Sequence, residues 1–317
     1  MPRDNYDRNI RLMTRMAWMH YIQGMTHAEI AKKLDFSRSK VTRMLLRAKE
    51  IGIVEIKIKG AYSVCVELEE ELKEKTGLYK VIVVPSGETD ESTSESVDRG
   101  AADYLNENLV KGDILGVAWG MSFAKIGPYL ERKPELSLKT VQLMGGIANS
   151  GEVDPQGIMG NISRKLGADG MMKPIPVMVG SKEIKNTLLQ DKGIKEMMLQ
   201  ANKCTKALIG TGGVTKATSS LCRLNLVKEE DLEEMRKNGI VGDIIGWFGD
   251  KNGIEVHNKY SDRIMSTILD VLKIIPEKIL MTAGVGKKEP LIAAIRGGYV
   301  DTIIIDEELA ETVNEAL

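Results

Sequence analysis

Residues that bind metals or form disulfides are scarce in this sequence. Its three cysteines, Cys65, Cys204 and Cys222, are widely separated, and so are its three histidines. An odd, scattered set of cysteines predicts reduced thiols rather than a disulfide framework, and neither residue type has the close spacing of metal ligands. The sequence therefore predicts no metal site and no bound cofactor.

Long apolar runs are also missing. No stretch approaches the roughly 20 apolar residues that span a bilayer, and the N-terminus, MPRDNYDRNIRL, lacks the apolar core of a secretory signal. These absences exclude a membrane partner and predict a cytoplasmic protein. A length of 317 residues suggests two domains.

Charge is distributed unevenly along the chain. The net charge is −1, yet residues 1–60 contain 13 Lys and Arg against 6 Asp and Glu. That segment therefore carries a charge of +7, and the remainder carries −8. A basic segment joined to an acidic body is expected where one end of a chain meets a polyanion.

Apolar spacing in residues 9–49 predicts three helices. The first ends at Gly24, and Thr26 caps a second helix in THAEIAKKL. Asp35 suits a left-handed turn, and Ser37 caps a third helix over 38–49. An apolar seam would hold the last two helices crossed at a fixed angle. Its members are Ile30, Ala31, Leu34, Val41, Met44 and Leu45.

The opposite face of the third helix is polar and basic. Such donors suit base edges and phosphates in a major groove, so this helix is predicted to be the recognition helix of a winged helix-turn-helix domain, residues 1–60. The alternating segment 52–60 is the predicted wing strand, whose Lys57 and Lys59 can touch phosphate. The alternative is a plain three-helix bundle with solvated charges. The predicted DNA-binding residues are Arg38, Ser39, Lys40, Thr42, Arg43 and Arg47.

Residues 63–77 form an amphipathic helix with Val64, Leu68 and Leu72 on one side and Gly77 at its end. We assign 61–77 as a connector. Two interpretations stay open, because such a helix can pack on its own domain or face a partner.

Short apolar runs alternate with helical segments over residues 78–317. Strands that are apolar throughout belong in a parallel sheet covered on both faces, so the chain is predicted to be α/β, with a doubly wound effector domain. The predicted strands lie in YKVIVVPS, GDILGVAWG, LKTVQLMGG, KPIPVMVGS, KALIGTGGV, GDIIGWFGD, KILMTAGVG and VDTIIID. The predicted helices include 92–109, 121–131, 155–168 and 287–297.

Glycine-rich loops follow several of these strands. In such sheets ligands bind where strands end and helices begin, and backbone amides with an ammonium group can form an oxyanion pocket. The loops are WGMSFAKI, LMGGIAN, GTGGV and AGVGKKEP, the last containing Lys287 and Lys288. This last loop is not a phosphate-binding Walker motif, because Met281 and Lys288 stand where glycine and Ser/Thr are required. The alternative is that these glycines only shape turns. For Asp243, the alternative is that its side chain caps a helix or a turn.

The whole chain resembles the SorC family (SorC/DeoR-type) of bacterial sugar-binding transcriptional regulators. The resemblance is nearly full length and is carried by AWMHYIQGMTHAEIAKKLDFSRSKVTRMLLRAKEIGIVEIKI, GVAWGMSFAKI, VQLMGG, IGTGGV, VGDIIGWFGDKNG and AGVGKKEPLIAAIRGGYVDTIIIDEELA. It implies an effector domain related to the glucosamine-6-phosphate deaminase and ribose-5-phosphate isomerase fold. It also implies a phosphorylated sugar effector and homodimers or homotetramers on operator DNA.

The resemblance further implies roles for individual residues. Ser122 and the amides after Gly120 would hold phosphate, Lys288 would neutralise it, Asp243 would take sugar hydroxyls, and Asn161 would face the pocket. Met121 stands where many relatives have a polar or basic residue. Met144 closes its strand without an amine, so imine capture of an aldehyde is not expected there. The full predicted effector set is Gly120, Met121, Ser122, Gly145, Gly146, Asn161, Gly212, Asp243 and Lys288.

The leading functional hypothesis is a repressor of a sugar-catabolic operon that responds to a phosphorylated sugar. A sugar-phosphate isomerase or deaminase is the alternative from another class. The pocket loops offer one carboxylate and no histidine, which disfavours acid-base turnover. An architectural DNA binder without a ligand is a third possibility.

Overall fold

The computed structural model describes residues 3–56, 60, 62–120, 125–147 and 155–317. The chain divides into two compact units, Met1–Gly60 and Ala61–Leu317. We call the first the head and the second the effector unit.

Three helices build the head: α1 (Arg3–Ala17), which continues as a π-helical turn over Trp18–Ile22, α2 (His27–Leu34) and α3 (Arg38–Glu50). The predicted caps are confirmed. Thr26 forms a capping box with Glu29, and the side chain of Ser37 accepts the amide of Lys40. Asp35 has φ 55°, the left-handed turn that reverses the chain between α2 and α3.

The predicted seam is the core of the head. Ile30, Ala31, Val41 and Leu45 are buried, and Leu34 and Met44 pack against them. Helix α1 adds Met16, Ala17 and Met19 to the same cluster. Caps and seam together fix α3 with one side outward.

The predicted wing strand falls mainly outside what the structure describes. Residues 53–56 form no strand, and Lys57 and Lys59 lie outside the described residues. The wing therefore stays a prediction.

The effector unit begins with α4 (Ser63–Thr76), which ends at Gly77 and packs against the first strand and the last helix of the unit. Its buried face is Cys65, Leu68 and Leu72. Val64, predicted on this face, is instead 41% exposed. The helix is thus part of the effector unit's main core.

In the described part of the chain, seven parallel strands form the central sheet: β1 (Lys80–Val84), β2 (Ile114–Val117), β3 (Lys139–Gln142), β4 (Asp169–Met171), β5 (Lys206–Ile209), β9 (Glu277–Thr282) and β10 (Thr302–Asp306). They lie in the order β1-β10-β9-β5-β2-β3-β4. Apolar side chains on both faces bury the sheet, as the continuous apolar runs predicted, except at the edge strand β4, whose three residues are exposed.

Besides α4, the helices of the effector unit are α5 (Asp90–Asn108), α6 (Pro155–Leu166), α7 (Lys182–Gln190), α8 (Lys192–Met198), α9 (Ser220–Arg223), α10 (Glu229–Lys237), α11 (Leu269–Ile274), α12 (Lys288–Arg296) and α13 (Glu307–Ala316). Of these, α4, α5, α6 and α13 pack against strands of the central sheet. No helix in the described ranges has the length and apolar character needed to cross a membrane.

A second, antiparallel sheet follows β5 and was not predicted. It consists of β6 (Thr211–Gly213), β7 (Ile240–Ile244) and β8 (Trp247–Asp250). The run GDIIGWFGD, predicted as one parallel strand, is a hairpin with φ 45° at Ile245 and 87° at Gly246. Positive φ at both turn residues is the geometry of a tight two-residue hairpin turn.

Two further predictions were wrong over the residues described. KPIPVMVGS forms isolated bridges rather than a strand, with β4 lying just before it. The predicted helix 121–131 contains a short 3₁₀ turn over Gly127–Tyr129, where Pro128 cannot sit inside an α-helix. Residues 121–124 lie outside the described residues.

Asp35→Val should destabilise the head, because a β-branched residue fits the left-handed backbone at φ 55° poorly. We expect the free energy of local opening of α2 and α3 to fall by about 1–2 kcal/mol. Hydrogen exchange on the full chain measures it. Asp35→Asn, which tolerates this conformation, is the matched control, and equal protection in both variants would contradict the prediction.

Candidate functional site

The outward side of α3 carries a stripe of polar and basic side chains. Ser39, Arg43 and Arg47 lie four residues apart and are exposed, so they share one helical face. Arg43 has no ion pair or hydrogen bond among the described residues, whereas Arg47 Nη1 lies 2.7 Å from Glu50 Oε2. Arg43 is therefore the most available guanidinium on this face.

The other predicted DNA contacts lie beside this stripe. Arg38 is exposed, and its carbonyl accepts the Thr42 hydroxyl at 3.1 Å. Thr42 Oγ1 also lies 3.0 Å from Nδ1 of His27, which joins α2 to α3. Lys40 lies 3.9 Å over the Phe36 ring, so its ammonium is held at the flank of the helix. An exposed polar stripe beside a basic flank is the arrangement expected of a recognition helix.

A narrow polar cleft, the inner cleft, lies at the carboxyl end of the parallel sheet, with a volume of about 30 Å³. It brings together the predicted Gly120, Gly212 and Asp243 with Met144, since β2, β3 and β5 all end here. Ile245, a β-branched residue at φ 45°, lines the same cleft. Strained backbone of this kind persists where the surrounding structure holds it.

Asp243 is the buried charge of the inner cleft. It is 8% exposed, and its Oδ2 accepts the amide of Gly246 at 3.0 Å. Burial raises the pKa of this carboxyl to about 6, while the Gly246 amide and the charge of Lys287 act in the opposite direction. Gly212 faces it across the β6–β7 ladder, where a Cβ would come within 2.0 Å of Asp243 Oδ1. Gly212 therefore leaves the space that the Asp243 carboxylate occupies.

A larger cleft, the outer cleft, adjoins the inner one, and Ser220 lines both. Its volume is about 360 Å³, and Arg223, Lys287, Asp306 and the turn after β9 line it. A cavity of this size accommodates a small ligand.

Gly145 and Gly146 do not form an open amide cradle. Their N–H groups donate to the carbonyls of Met265 and Ile175, at 2.9 and 2.8 Å. A Cβ on Gly145 would lie 2.5 Å from the Pro176 carbonyl oxygen. This glycine pair therefore allows close packing of two chain segments.

The remaining predicted effector residues are dispersed. Asn161 lies on α6, where its Oδ1 accepts a hydrogen bond from Arg164, and it lines neither cleft. Lys288 opens α12 beside Glu289, with Nζ 3.9 Å from Oε1, and also lies outside both linings. Met121 and Ser122 lie outside the described residues.

Two further buried lysines are absent from the predicted effector set, although Lys287 belongs to a loop that was predicted to hold an anion. Lys287 lines the outer cleft, and burial lowers its pKa to about 8. Lys173 is fully buried, donates to Leu143 O at 3.2 Å and to Thr267 Oγ1 at 3.3 Å, and burial lowers its pKa also to about 8. The adjacent lysine pair was a signal for the first. No pattern in the sequence marks the second.

A helix-turn-helix head in one chain with an α/β unit that carries a polar cleft is the architecture of a ligand-responsive transcriptional regulator. The family model described as “Putative sugar-binding domain” matches residues 61–314, and the chain belongs to this family. A second model, “Sigma-70, region 4”, matches residues 18–51, which include α2 and α3.

Sequence and structural relatives match most or nearly all of the chain. The transcriptional regulator LsrR of Escherichia coli K12 is 26% identical over 311 residues, covering 95% of this chain and 93% of its own. The full-length sorbitol operon regulator SorC of Klebsiella pneumoniae is 25% identical with a TM-score of 0.75, covering 96% of this chain and 98% of its own. A DeoR family transcriptional regulator of Listeria monocytogenes is 27% identical with a TM-score of 0.72, covering 79% and 100%.

These comparisons confirm the resemblance to the SorC family and the predicted fold class. The relatives are transcriptional regulators, which supports the regulator hypothesis over the isomerase or deaminase alternative. The chain is a DNA-binding transcriptional regulator with a sugar-binding domain.

Gly212→Ala should displace the Asp243 carboxylate, because the new Cβ would fall 2.0 Å from Oδ1. We expect the free energy of unfolding to fall by about 1–3 kcal/mol, the usual cost of overpacking. Thermal unfolding of the full chain measures it. The control is Gly160→Ala in α6, where the nearest atom would lie 4.0 Å away. Equal stability of the two variants would contradict the prediction.

Proposed function

We propose that this protein is a cytoplasmic repressor of a sugar-catabolic operon, and that a phosphorylated sugar bound in the effector unit sets its affinity for operator DNA. The observation that carries the proposal is the presence in one chain of an exposed arginine stripe on α3 and a ligand-sized polar cleft at the carboxyl end of a parallel sheet. The arginine stripe suits operator DNA, and the cleft suits a phosphorylated sugar.

The DNA partner follows from the head. We propose that Arg38, Ser39, Thr42, Arg43 and Arg47 face the major groove and that Lys40 contacts phosphate. A guanidinium that reads guanine in this way contributes about 1–3 kcal/mol of discrimination against the wrong base.

The effector partner follows from the cleft. A buried carboxylate accepts hydrogen bonds from ligand hydroxyls, and ammonium groups and strand-end amides attract a phosphate. Asp243, beside the glycines of the inner cleft, is a carboxylate that could accept hydrogen bonds from ligand hydroxyls. The turn after β9 offers the ammonium group and the amides that attract a phosphate. Ser122 and Lys288 remain predicted phosphate contacts, and Met121 and Asn161 remain predicted effector contacts.

We propose that the working form is a homodimer or homotetramer. One helix-turn-helix makes few base contacts, and useful specificity requires a second head on a repeated half-site. Effector binding then changes DNA affinity by favouring one assembly state over another.

Selection of bound duplexes from a random library should enrich a two-fold repeat with half-site centres one helical turn, or a multiple of it, apart. The enriched duplex is then titrated with the full chain in the presence of ribose 5-phosphate, fructose 6-phosphate, glucitol 6-phosphate and fructose 1,6-bisphosphate. At least one should change the affinity by about 5-fold or more. An unchanged affinity with every compound would remove the effector role.

Arg43→Ala should weaken operator binding by about 5- to 150-fold through the loss of one base contact and leave effector binding intact. Lys288→Ala should weaken effector binding and spare operator binding. Lys192→Ala is the control for loss of one positive charge, since its side chain is 90% exposed on α8. Calorimetry with the active sugar phosphate and operator titration on all three variants measure both activities. Loss of both activities in each folded variant would refute this division of roles.

A further inference from the structure

Two histidine rings lie in contact in the head. His27 is the first residue of α2, and its Nδ1 lies 3.0 Å from Thr42 Oγ1 on α3. The ring of His20, in the π-helical turn after α1, meets the His27 ring edge to face, with 4.8 Å between the ring centroids. His20 is itself held, because its Nδ1 donates to the carbonyl of Met25 at 2.9 Å. The His27 ring is therefore fixed between the π-helical turn and the recognition helix.

The hydrogen bonds of Thr42 determine which nitrogen of His27 carries the proton. A hydroxyl has one hydrogen, and Thr42 donates it to the carbonyl of Arg38 at 3.1 Å. Thr42 Oγ1 then accepts the Nδ1–H of His27. Among the described residues, Nε2 of His27 has no hydrogen-bond partner. In the neutral ring this nitrogen has a lone pair and no hydrogen, so it can donate to a phosphate oxygen only after it gains a proton.

The place of His27 relative to DNA follows from the helix-turn-helix. When the second helix of this motif lies in the major groove, the first helix crosses the phosphate backbone. Here the second helix is α3, and Thr42 adjoins its exposed stripe of Ser39, Arg43 and Arg47. The half-buried His27 belongs to the first helix and touches the second at Thr42. Its ring is thus beside the groove-facing stripe, on the helix that meets phosphates.

The charged groups around the ring keep it neutral in the free head. Burial, then His20, then Arg38 on α3 lower the pKa of His27 below its ordinary value. In the described part of the chain no carboxylate pairs with the ring. Glu29, on the same helix, accepts the amide of Thr26 at 2.8 Å and its hydroxyl at 2.9 Å. A phosphate oxygen near Nε2 would act in the opposite direction, because a neighbouring negative charge favours the imidazolium.

We propose that His27 is a further phosphate contact of the DNA interface, and that it binds the backbone as an imidazolium, so that each head takes up a proton when it binds a duplex. The inference rests on the DNA-binding role of the head. The bound head holds one more proton than the free head, so the affinity for DNA falls as the pH rises from the pKa of His27 in the free head through its pKa in the complex.

The selected duplex is titrated with the full chain at pH 6 and at pH 8, at constant ionic strength, and followed by fluorescence anisotropy. Between these pH values the wild-type affinity should fall about 5-fold more than that of His27→Gln. Asp243 and Lys287 also titrate in this range, with pKa values of about 6 and about 8. His27→Gln keeps both groups, so the difference between the two proteins measures the contribution of His27.

Salt dependence separates a phosphate contact from a residue that only braces the head. At pH 6, His27→Gln should reduce the slope of log affinity against log salt concentration by about 0.9 per head, the value for one phosphate contact. A bracing residue would lower the thermal unfolding midpoint and leave this slope unchanged.

Two further variants complete the test. His27→Lys has a fixed positive charge, so its affinity should fall between pH 6 and pH 8 no more than that of His27→Gln, while it keeps the wild-type salt slope. His257→Gln is the matched control, since the His257 side chain is 68% exposed in the effector unit, 3.5 Å from Asp262. It should keep the pH dependence of the wild type.

The proposal is overturned if His27→Gln keeps the pH dependence of the wild type, if its salt slope at pH 6 is unchanged, or if His27→Lys is as pH-dependent as the wild type. In each of these cases the wild type still binds the duplex, so the proposed function stands. A full chain that bound no duplex at either pH would refute the proposed function and this inference together.

Discussion

The end of the effector unit where the parallel strands terminate depends on two buried groups, the Asp243 carboxylate and the Lys287 ammonium, each held by backbone hydrogen bonds. Each acts on the pKa of the other in the direction that favours its charged form. Asp243 is held by the hairpin turn at Gly246, and Lys287 holds the loop from Thr211 to Thr218. Removing either side chain would leave the backbone groups that it bonds, in the hairpin turn or in the loop, without that partner.

The head could be predicted from sequence because its determinants are local. The Thr26 cap, the left-handed Asp35 and the Ser37 cap each act within four residues, and the apolar seam follows from helical spacing. Most strands of the parallel sheet were equally clear, because a strand buried on both faces is apolar along its whole length.

The wrong predictions concern segments whose structure is set by tertiary contacts rather than by local sequence. GDIIGWFGD has the same apolar character as a buried parallel strand, and only the turn at Ile245 and Gly246 makes it a hairpin. Asp243 and Gly212 were predicted together because both stand in glycine-rich strand ends. Lys287 rather than Lys288 lines the outer cleft because of the short turn after β9, whose direction no spacing rule encodes. The glycines at 145 and 146 show the converse case, since they serve packing although their motif suggested ligand binding.

An open sheet ends in strands whose backbone groups could pair with another molecule, and β1 is such an edge in this protein. Here the Glu69 carboxylate of α4 accepts the Val83 amide at 2.8 Å. An incoming strand would have to displace that carboxylate and would meet its negative charge. The same helix that closes the core thus discourages edge-to-edge growth of the sheet into fibrous aggregates.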